Sequence, residues 1–428
     1  MSTLREDIRN ILTSIAQVRG IKNSSFEYDT AFDTGDGLIS EFFIASIKDL
    51  DKNSVLNVGI KKAPDTVLFS SIFDNEYTFY QKAFPALDAF QREIGVSKPF
   101  TNIPKCYLAS VEPHKQFIAM EDLKIQGYQI HEKSSSLDRK HLESIFKTYG
   151  KFHALNFAFK SLREEQARTI AGEAHAGFVQ LRDMLLPLIR SCLGACVDIF
   201  SQEQVGPENE DILERCRRVY DNLPEYYDRI NNYNGRYSCI THGDCWSNNL
   251  FFKYSENGEL EDLKLIDFQF WKEDTPVHDL SYFFYSGASE DDFDRLDEYL
   301  ELYHDSLVQY AKQLGCDGHR LLPLDTLKED WKTYGLFGIF FGIKLWRIKL
   351  TIKEDIQDIM HSRDNLDEWN KVLTQQQPPG RIRQHTQLTT YCYVEIIYLT
   401  FHYILLEINS VISDILEQAG DNSINTFY

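Results

Sequence analysis

Two short stretches of this sequence carry residues that could transfer a phosphoryl group. The first, residues 241–252, contains His242-Gly243-Asp244 and, after four intervening residues, Asn249. This is the spacing of a phosphotransferase catalytic loop, in which the aspartate orients the acceptor hydroxyl and receives its proton. The asparagine offers an amide oxygen to Mg²⁺, a cation that prefers oxygen ligands. We therefore predict Asp244 as the catalytic residue and Asn249 as a metal ligand.

The second stretch is LKLIDFQ, residues 263–269, in which Asp267 ends an apolar run. Its carboxylate could hold the metal that bridges the nucleotide phosphates. Isolated Asp and Asn residues are more often turn formers or helix caps. Here, however, the spacing, the His-Gly prefix and the second apolar-Asp-Phe element agree. We expect His242 to be a packed, hydrogen-bonded support and not a proton-transfer group.

The composition is that of a globular protein. The chain has 428 residues, of which 43% are hydrophobic and 26% charged, and these values exclude the disordered and fibrous classes. With 45 Lys and Arg against 65 Asp and Glu, the formal net charge is −20, so we expect no nucleic-acid partner. Eight cysteines are too sparse for a disulfide scaffold. The first ten residues carry four charges where a signal peptide would be apolar. We therefore predict a cytoplasmic protein.

Hydrophobic periodicity divides the chain into two parts. Residues 1–120 contain an N-terminal amphipathic helix, the strand-like runs FEYDTAF, LISEFFIASI, SVLNVGI and QFIAM, and a helix from Phe73 to Phe84. Residues 125–428 show mostly helical periodicity, interrupted by short strand-like segments around the two stretches described above. The predicted fold class is α+β, with a small antiparallel β-rich lobe and a large helical lobe. Within the helical lobe we place a catalytic loop at 241–252 and a metal loop at 265–270.

One apolar segment, Tyr391–Ile408, has a composition close to that of a membrane span. It contains Glu395, His402 and Glu407. Each such group costs on the order of 2.5 kcal/mol at a bilayer centre. We therefore predict a buried helix here and no membrane span.

Taken together, these motifs resemble a known family. HGDCWSNN at 242–249, IDFQ at 266–269 and the later Asp279-Leu280 resemble the ecdysteroid kinase-like (choline-kinase-like) family. That family is related to aminoglycoside phosphotransferases and more distantly to protein kinases. Supporting motifs stand in the expected order between about residue 30 and about residue 345: Gly35-Asp36-Gly37, Lys61-Lys62-Ala63-Pro64, Glu76, Pro104-Lys105-Cys106-Tyr107, Met120-Glu121-Asp122-Leu123 and Lys151-Phe152-His153-Ala154. The resemblance implies a two-lobed protein-kinase-like fold that uses ATP and Mg²⁺.

Phosphoryl transfer also needs a lysine against the nucleotide phosphates and a carboxylate that holds the lysine in place. VGIKKAP supplies Lys61 and Lys62, and the family pattern of Lys, two residues and Pro selects Lys61, with Lys62 in reserve. Glu76 would be the partner. The alternative is a pair of solvated lysines at a strand end and a surface glutamate, because adjacent lysines leave the register uncertain.

Two further segments have a possible nucleotide-binding role. Gly35 and Gly37 could form a turn over the phosphates, although Asp-Gly is also the usual hairpin signal. Residues 121–124 are predicted as the hinge between the lobes. Backbone groups of this region would meet adenine, or the segment could be simply a linker; the residues concerned are Met120, Glu121 and Leu123.

The resemblance also implies a supporting role for Asp279 in PVHDLSYFF, where it would tie down the backbone of the catalytic loop. Aromatic residues at 282–284 suggest that the surrounding helix is buried, and a buried aspartate must have hydrogen-bond partners. Gln269 stands where protein kinases carry the glycine of Asp-Phe-Gly. Regulation by a backbone flip at that position is therefore not expected.

The acceptor implied by the resemblance is a small-molecule alcohol. The first expectation is a hydroxyl of an ecdysteroid or a similar lipophilic compound, phosphorylated by ATP. A choline, ethanolamine or xenobiotic kinase is the alternative, and the first two need a cation site. Gln269 is neutral where such relatives tend to have Glu, which favours a neutral substrate. A catalytically silent nucleotide- or sterol-binding module is disfavoured, because the proposed catalytic residues and metal ligands are all retained. Oligomeric state is left open.

Overall fold

The computed structural model describes residues 2–28, 41–63, 67–113, 115–131, 136–174, 181–202 and 207–350 of the chain. The predicted phosphate turn at Gly35 and Gly37 and the predicted helix at Tyr391–Ile408 lie outside the described residues.

The first part of the chain forms a five-stranded antiparallel sheet in the order β1-β2-β3-β5-β4. The strands are β1 (Ser24–Tyr28), β2 (Glu41–Asp49), β3 (Ser54–Lys62), β4 (Cys106–Ser110) and β5 (Phe117–Glu121). Four of them coincide with the strand-like runs in the sequence, whereas β4 was not predicted.

Side chains alternate between the two faces of this sheet, as strand geometry requires. Phe117 and Ala119 of β5 join the cluster beneath helix α1 (Ser2–Val18), which buries Ile8, Leu12 and Ile15. Ile118 and Met120, which alternate with them along β5, belong instead to the large core of the molecule. The sheet is therefore covered on one face by the N-terminal helix, and its other face packs against the large core.

A helical segment follows β3 and crosses to the other face of the sheet. It consists of α2 (Val67–Thr78), a π-helical turn (Phe79–Ala83) and α3 (Phe84–Ile94), so the predicted helix at Phe73 to Phe84 is the centre of a longer element. Inside the π-helical turn, Phe79 is fully buried and stacks on Phe268, with ring centroids 3.7 Å apart. This contact joins the first part of the chain to the predicted metal loop.

The second part is helical, with three short antiparallel pairings. Its helices are α4 (Arg139–Leu162), α5 (Glu164–Ala171), α6 (Arg182–Gln202), α7 (Pro207–Asp221), α8 (Leu223–Ile230), α9 (Pro276–Gly287), α10 (Glu290–Phe293), α11 (Leu296–Gln313), α12 (Gly318–Leu321), α13 (Leu324–Tyr334) and α14 (Leu336–Leu350). Its strands are β6 (Tyr128–Ile130), β7 (Cys239–Thr241), β8 (Leu250–Tyr254), β9 (Leu260–Leu265) and β10 (Lys272–Asp274), paired as β6-β8-β9 and β7-β10. The predicted two-lobed α+β class is confirmed.

These short strands place the predicted site residues. β7 ends just before His242, Asn249 stands directly before β8, and β9 ends two residues before Asp267. β8 and β9 pair with each other, so Asn249 and Asp267 emerge at the same end of that sheet.

Helix α14 lies directly against α9. A Cβ added to Gly338 would stand 2.2 Å from the backbone carbon and oxygen of Ser281, so a larger residue would force the helices apart. The Gly338 N–H donates to Ser281 Oγ at 3.2 Å. This close packing fixes the helix that carries Asp279. In the described part of the chain, no helix combines the length and apolar character needed to cross a bilayer.

Candidate active site

The catalytic loop begins with a turn that only glycine fits. Gly243 has φ +84°, and a Cβ at this position would stand 2.2 Å from the carbonyl oxygen of Phe270. Because L-residues rarely adopt this conformation and the space is filled by backbone, the His-Gly prefix is a geometric requirement here.

Asp279 holds this turn from beneath. Its buried carboxylate accepts hydrogen bonds from the His242 N–H at 2.7 Å and the Gly243 N–H at 2.9 Å. Cys245 Sγ lies 2.9 Å from the same group, and His153 Nε2 lies 3.1 Å from it. Burial alone would raise the pKa of Asp279, but the hydrogen bond and charge of His153 outweigh burial and hold that pKa below its usual value. The carboxylate thus remains ionised and fixes the loop backbone.

His242 connects the two loops. Its Nε2 lies 2.7 Å from the carbonyl oxygen of Ile266, and its Nδ1 accepts the Asp244 N–H at 3.2 Å. An imidazole in which Nδ1 accepts carries its proton on Nε2, so both ring nitrogens are engaged with backbone. The ring also packs 4.2 Å from that of Phe268.

Three side chains bind the Asp244 carboxylate. Oδ1 accepts the Tyr282 hydroxyl at 3.0 Å, and Oδ2 accepts Gln269 Nε2 at 3.1 Å and Asn249 Nδ2 at 3.2 Å. Asp244 is only 8% exposed, and burial together with the nearby charge of Asp267 raises its pKa. The two predicted carboxylates are therefore close enough to interact.

Lys61 joins Asp267 to Glu76. Its Nζ lies 2.6 Å from Asp267 Oδ1 and 2.5 Å from Glu76 Oε2. Burial would lower the pKa of Lys61, but the charges of Asp267 and Glu76 overcome that effect and raise it. Burial raises the pKa of Glu76 to about 7, against the opposing attraction of Lys61. The lysine therefore stays charged between two carboxylates that come from different parts of the chain.

Lys62, the reserve choice, points away from this cluster. Its Nζ pairs with Asp7 of α1 at 3.2 Å. Neighbouring residues of a strand face opposite sides of the sheet, so only one of the two lysines can reach Glu76.

The backbone at Asp267 is strained. Its φ of +66° lies in the left-handed region, where non-glycine residues are uncommon outside functional sites. Two hydrogen bonds hold it in this conformation. Lys61 Nζ donates to the Asp267 carboxylate, and His242 Nε2 bonds to the carbonyl oxygen of the preceding residue, Ile266.

Asn249 and Asp267 are the side chains at this end of the sheet whose oxygen atoms could hold a divalent cation. The Asn249 Nδ2 group donates to both the carbonyl and the carboxylate of Asp244, and among the described residues the amide oxygen of that side chain has no hydrogen bond, so it could coordinate a metal. With the Asp267 carboxylate, this gives a hard oxygen set of the kind that Mg²⁺ shares with phosphate oxygens and water. Among the described residues, no group of three or more His, Cys, Asp and Glu side chains is arranged to hold a metal by itself.

The predicted hinge follows directly from β5. Met120 pairs with Gly59 and Cys106 inside the sheet, and the Glu121 N–H donates to the Lys105 carbonyl. The Leu123 carbonyl accepts two backbone N–H groups, from Gln126 and Tyr128. The Glu121 N–H is thus engaged within the fold, and the contact of this segment with adenine stays a prediction.

Several contacts of the site were not predicted from the sequence. Gln269 and Tyr282 bind Asp244, His153 binds Asp279, and Lys344 of α14 lies close enough to Asp244 for the two charges to interact. Tyr282 had an available signal, because it stands three residues after Asp279 on the same helix face. Lys344 had none, since it is about a hundred residues from the catalytic loop.

Comparison with known proteins identifies the family. The family model described as the ecdysteroid kinase-like family matches residues 46–316, which is more than half of the chain. The chain therefore belongs to the ecdysteroid kinase-like family, and the predicted enzyme class, a phosphotransferase that acts on small-molecule hydroxyls, is confirmed. No curated protein matches the sequence.

Several solved kinases show a loose similarity. An ethanolamine kinase from Plasmodium vivax is 14% identical, with 82% of this chain and 81% of that chain covered and a TM-score of 0.37. A glucosamine kinase is 13% identical, with 84% and 81% covered and a TM-score of 0.25. A glucosamine kinase in complex with glucosamine, ADP and inorganic phosphate is 12% identical, with 84% and 82% covered and a TM-score of 0.25.

Proposed function

We propose that this protein transfers the γ-phosphoryl group of ATP, bound with Mg²⁺, to a hydroxyl group of a lipophilic small molecule such as an ecdysteroid. The observation that carries the proposal is the meeting of Lys61, Glu76 and Asp267 beside Asp244. Lys61 and Asp267, which are 206 residues apart in the sequence, are in direct contact. The residue types are those that phosphoryl transfer requires.

In this proposal Asp244 receives the proton of the acceptor hydroxyl. Its carboxylate is buried and held by Tyr282, Gln269 and Asn249, so its direction is fixed before an acceptor arrives. The pKa of Asp244 is raised, so it lies closer to neutral pH than the pKa of a solvated aspartate, as suits a general base.

Lys61 would bind the nucleotide phosphates, and Glu76 would hold its position. Asp267 and the amide oxygen of Asn249 would hold Mg²⁺, which neutralises charge on the phosphates when bound. The Leu123 N–H is in no hydrogen bond among the described residues, so it would be the hinge group that meets adenine. Phosphate contacts from Gly35 and Gly37 remain part of the proposal.

The first test is the loss of Asp244. Replacement by Asn keeps the size of the side chain but removes the base, so we expect Asp244→Asn to fold and to bind nucleotide while kcat falls on the order of 10³-fold. Asp305→Asn, at an exposed position on α11, is the matched control and should retain activity. Turnover of Asp244→Asn equal to that of the wild type would remove Asp244 from its role.

The acceptor is tested with labelled ATP and a panel of steroids, amino alcohols and plant-derived phenols or glycosides. The ecdysteroid proposal predicts transfer to steroid alcohols. Phosphorylation of choline or ethanolamine alone would contradict it, and Mg²⁺-dependent nucleotide binding without any transfer would favour a catalytically silent module.

A further inference from the structure

A lysine of α14, Lys344, lies within electrostatic range of Asp244. Lys344 Nζ lies 4.7 Å from the centroid of the Phe341 ring. That ring is 5.4 Å from the ring of Tyr282, whose hydroxyl donates to Asp244. A continuous series of contacts thus leads from the Asp244 carboxylate to an ammonium group.

The position of this lysine follows from the packing of α14. Phe337, Phe341 and Lys344 are spaced four and three residues apart, so they share one face of the helix. Both phenylalanines contact Tyr282, while Gly338 presses the neighbouring face against the backbone of α9. Lys344 is therefore directed by the same helix contact that orients Tyr282.

The ammonium group of Lys344 has N–H donors without an acceptor among the described residues. A lysine carries three N–H donors. Within the described part of the chain, Lys344 interacts with the ring of Phe341 and with the charge of Asp244. No carboxylate or carbonyl accepts a hydrogen bond from it there. Burial lowers the pKa of Lys344, as expected for a cation that is partly removed from water without a close anionic partner.

We propose that Lys344 selects the acceptor: it donates a hydrogen bond to an oxygen of the bound alcohol and excludes alcohols that carry a positive charge near the reacting hydroxyl. The inference rests on the proposed function, because it requires the acceptor hydroxyl to approach Asp244. It adds a residue that determines specificity and a physical reason for the choice of substrate.

The expected size of the effect follows from Coulomb's law. If Lys344 contacts the acceptor as proposed, an amino alcohol with a two-carbon spacing whose hydroxyl lies at Asp244 would bring its amine close to the ammonium group. Two like charges about 4 Å apart, in the effective dielectric near a protein surface, repel by an amount that corresponds to about 10²- to 10³-fold in binding. The Asp244 carboxylate attracts the same amine, but it is present in every Lys344 variant, so the change among these variants isolates the contribution of the lysine. A neutral alcohol of the same shape does not meet this penalty.

The test uses two matched pairs of acceptors with Mg²⁺ and ATP. One pair is choline and its uncharged isostere 3,3-dimethylbutan-1-ol, and the other is a steroid alcohol and its amino-substituted analogue. The measured quantity is the ratio of kcat/KM for the neutral and the cationic member of each pair. It is compared among the wild type, Lys344→Glu, Lys344→Met and Lys344→Arg, with Lys312→Glu at an exposed position on α11 as the control.

We expect the wild type to prefer the neutral member of a pair. Lys344→Glu should shift the ratio about 100-fold towards the cation, Lys344→Met should shift it in the same direction by less, and Lys344→Arg and Lys312→Glu should leave it unchanged. Melting temperatures of all variants establish that they are folded, so that a shift cannot come from unfolding.

A ratio that moves less than threefold in both Lys344→Glu and Lys344→Met would overturn the inference, as would a wild-type preference for the cationic acceptors. Asp244→Asn separates this failure from that of the proposed function. Loss of transfer in Asp244→Asn with an unchanged ratio in the Lys344 variants refutes only the role of Lys344. Absence of transfer to every alcohol refutes both.

Discussion

Two adjacent lysines at the end of β3 lie in opposite environments. Lys61 is enclosed by Glu76 and Asp267, whereas Lys62 pairs on the other face of the sheet with Asp7, whose side chain is 49% exposed. A buried charge between two carboxylates is costly to remove, because its partners are left uncompensated. An exposed ion pair contributes little.

This contrast gives a matched pair of substitutions. Lys61→Met should lower kcat/KM for ATP on the order of 10²-fold, because it removes the charged group that we propose to bind the phosphates. Lys62→Met should change it less than twofold. Steady-state kinetics with varied ATP measures both variants, and equal losses would mean that Lys61 has no special contact with nucleotide.

The sequence indicated which residues would meet better than it indicated their contacts. The spacing of Asp244, Asn249 and Asp267 along the chain predicts that they lie together, and the structure brings them together, whereas their chemical roles stay predictions. The choice between Lys61 and Lys62 depended on strand register, which shifts every side chain to the opposite face when it changes by one residue. Lys344 reaches the site only through the packing of α14, a contact that the local sequence does not encode.

At the scale of elements, the contact between α9 and α14 positions several parts of the site at once. Helix α9 carries Asp279 beneath the loop and Tyr282 against Asp244, and α14 carries Lys344. Gly338 allows the two helices to approach so closely. A change in their separation would therefore move three site residues together.

Gly338→Ala tests this arrangement. The added methyl group would lie 2.2 Å from the Ser281 backbone, and such overpacking costs about 1–3 kcal/mol of unfolding free energy. We also expect lower kcat, because Tyr282 would shift relative to Asp244.

The control is Gly172→Ala at the end of α5, where the new methyl group would have ordinary contacts at 3.5 Å and φ is −68°. Its stability should stay within about 1 kcal/mol of the wild type. Chemical denaturation measures both variants. Equal stabilities of the two would show that α9 and α14 can separate without strain.

Elements with a clear pattern of burial were predicted, and one strand without such a pattern was not. β2 alternates between buried and more exposed residues along most of its length, and β3 has a run of buried residues at its centre, whereas β4 has five residues and all are only partly buried. Its pattern therefore lacks the contrast between inward and outward residues on which such predictions depend. The π-helical turn at Phe79–Ala83 was also missed, because a wider turn inside a helix leaves no distinct composition.

At the scale of the whole molecule, the sheet and the helical part are linked next to the proposed reaction centre. Asn75 of α2 donates from Nδ2 to the carbonyls of Gln269 and Trp271, each at 3.0 Å. Trp271 Nε1 donates in return to the Asn75 carbonyl at 2.7 Å. With the contact between Lys61 and Asp267, these bonds keep α2 at a fixed position relative to the metal loop.

Asn75→Ala should weaken this link. The side chain is 1% exposed, and loss of its two hydrogen bonds to buried carbonyls should cost roughly 2 kcal/mol of unfolding free energy. We expect kcat/KM to fall about tenfold or more, because Glu76 and Lys61 would no longer be held precisely against Asp267.

Asn222→Ala is the control for this change, since its side chain donates to a carbonyl at an exposed position. Denaturation and kinetics are measured on both variants. Activity of Asn75→Ala at the wild-type level, with stability lowered, would show that the link serves folding and not the alignment of the site.

The buried Asp279 has one more consequence for how such an enzyme works. Because a side chain of the fold itself, and not an incoming ligand, binds the amides of His242 and Gly243, the cost of ordering this loop belongs to folding. The protein should thus be competent from the moment it is folded, with no need for a covalent switch such as phosphorylation of the loop. The rate of phosphorylation in a cell would then depend on the concentrations of the protein and of its acceptor alcohol.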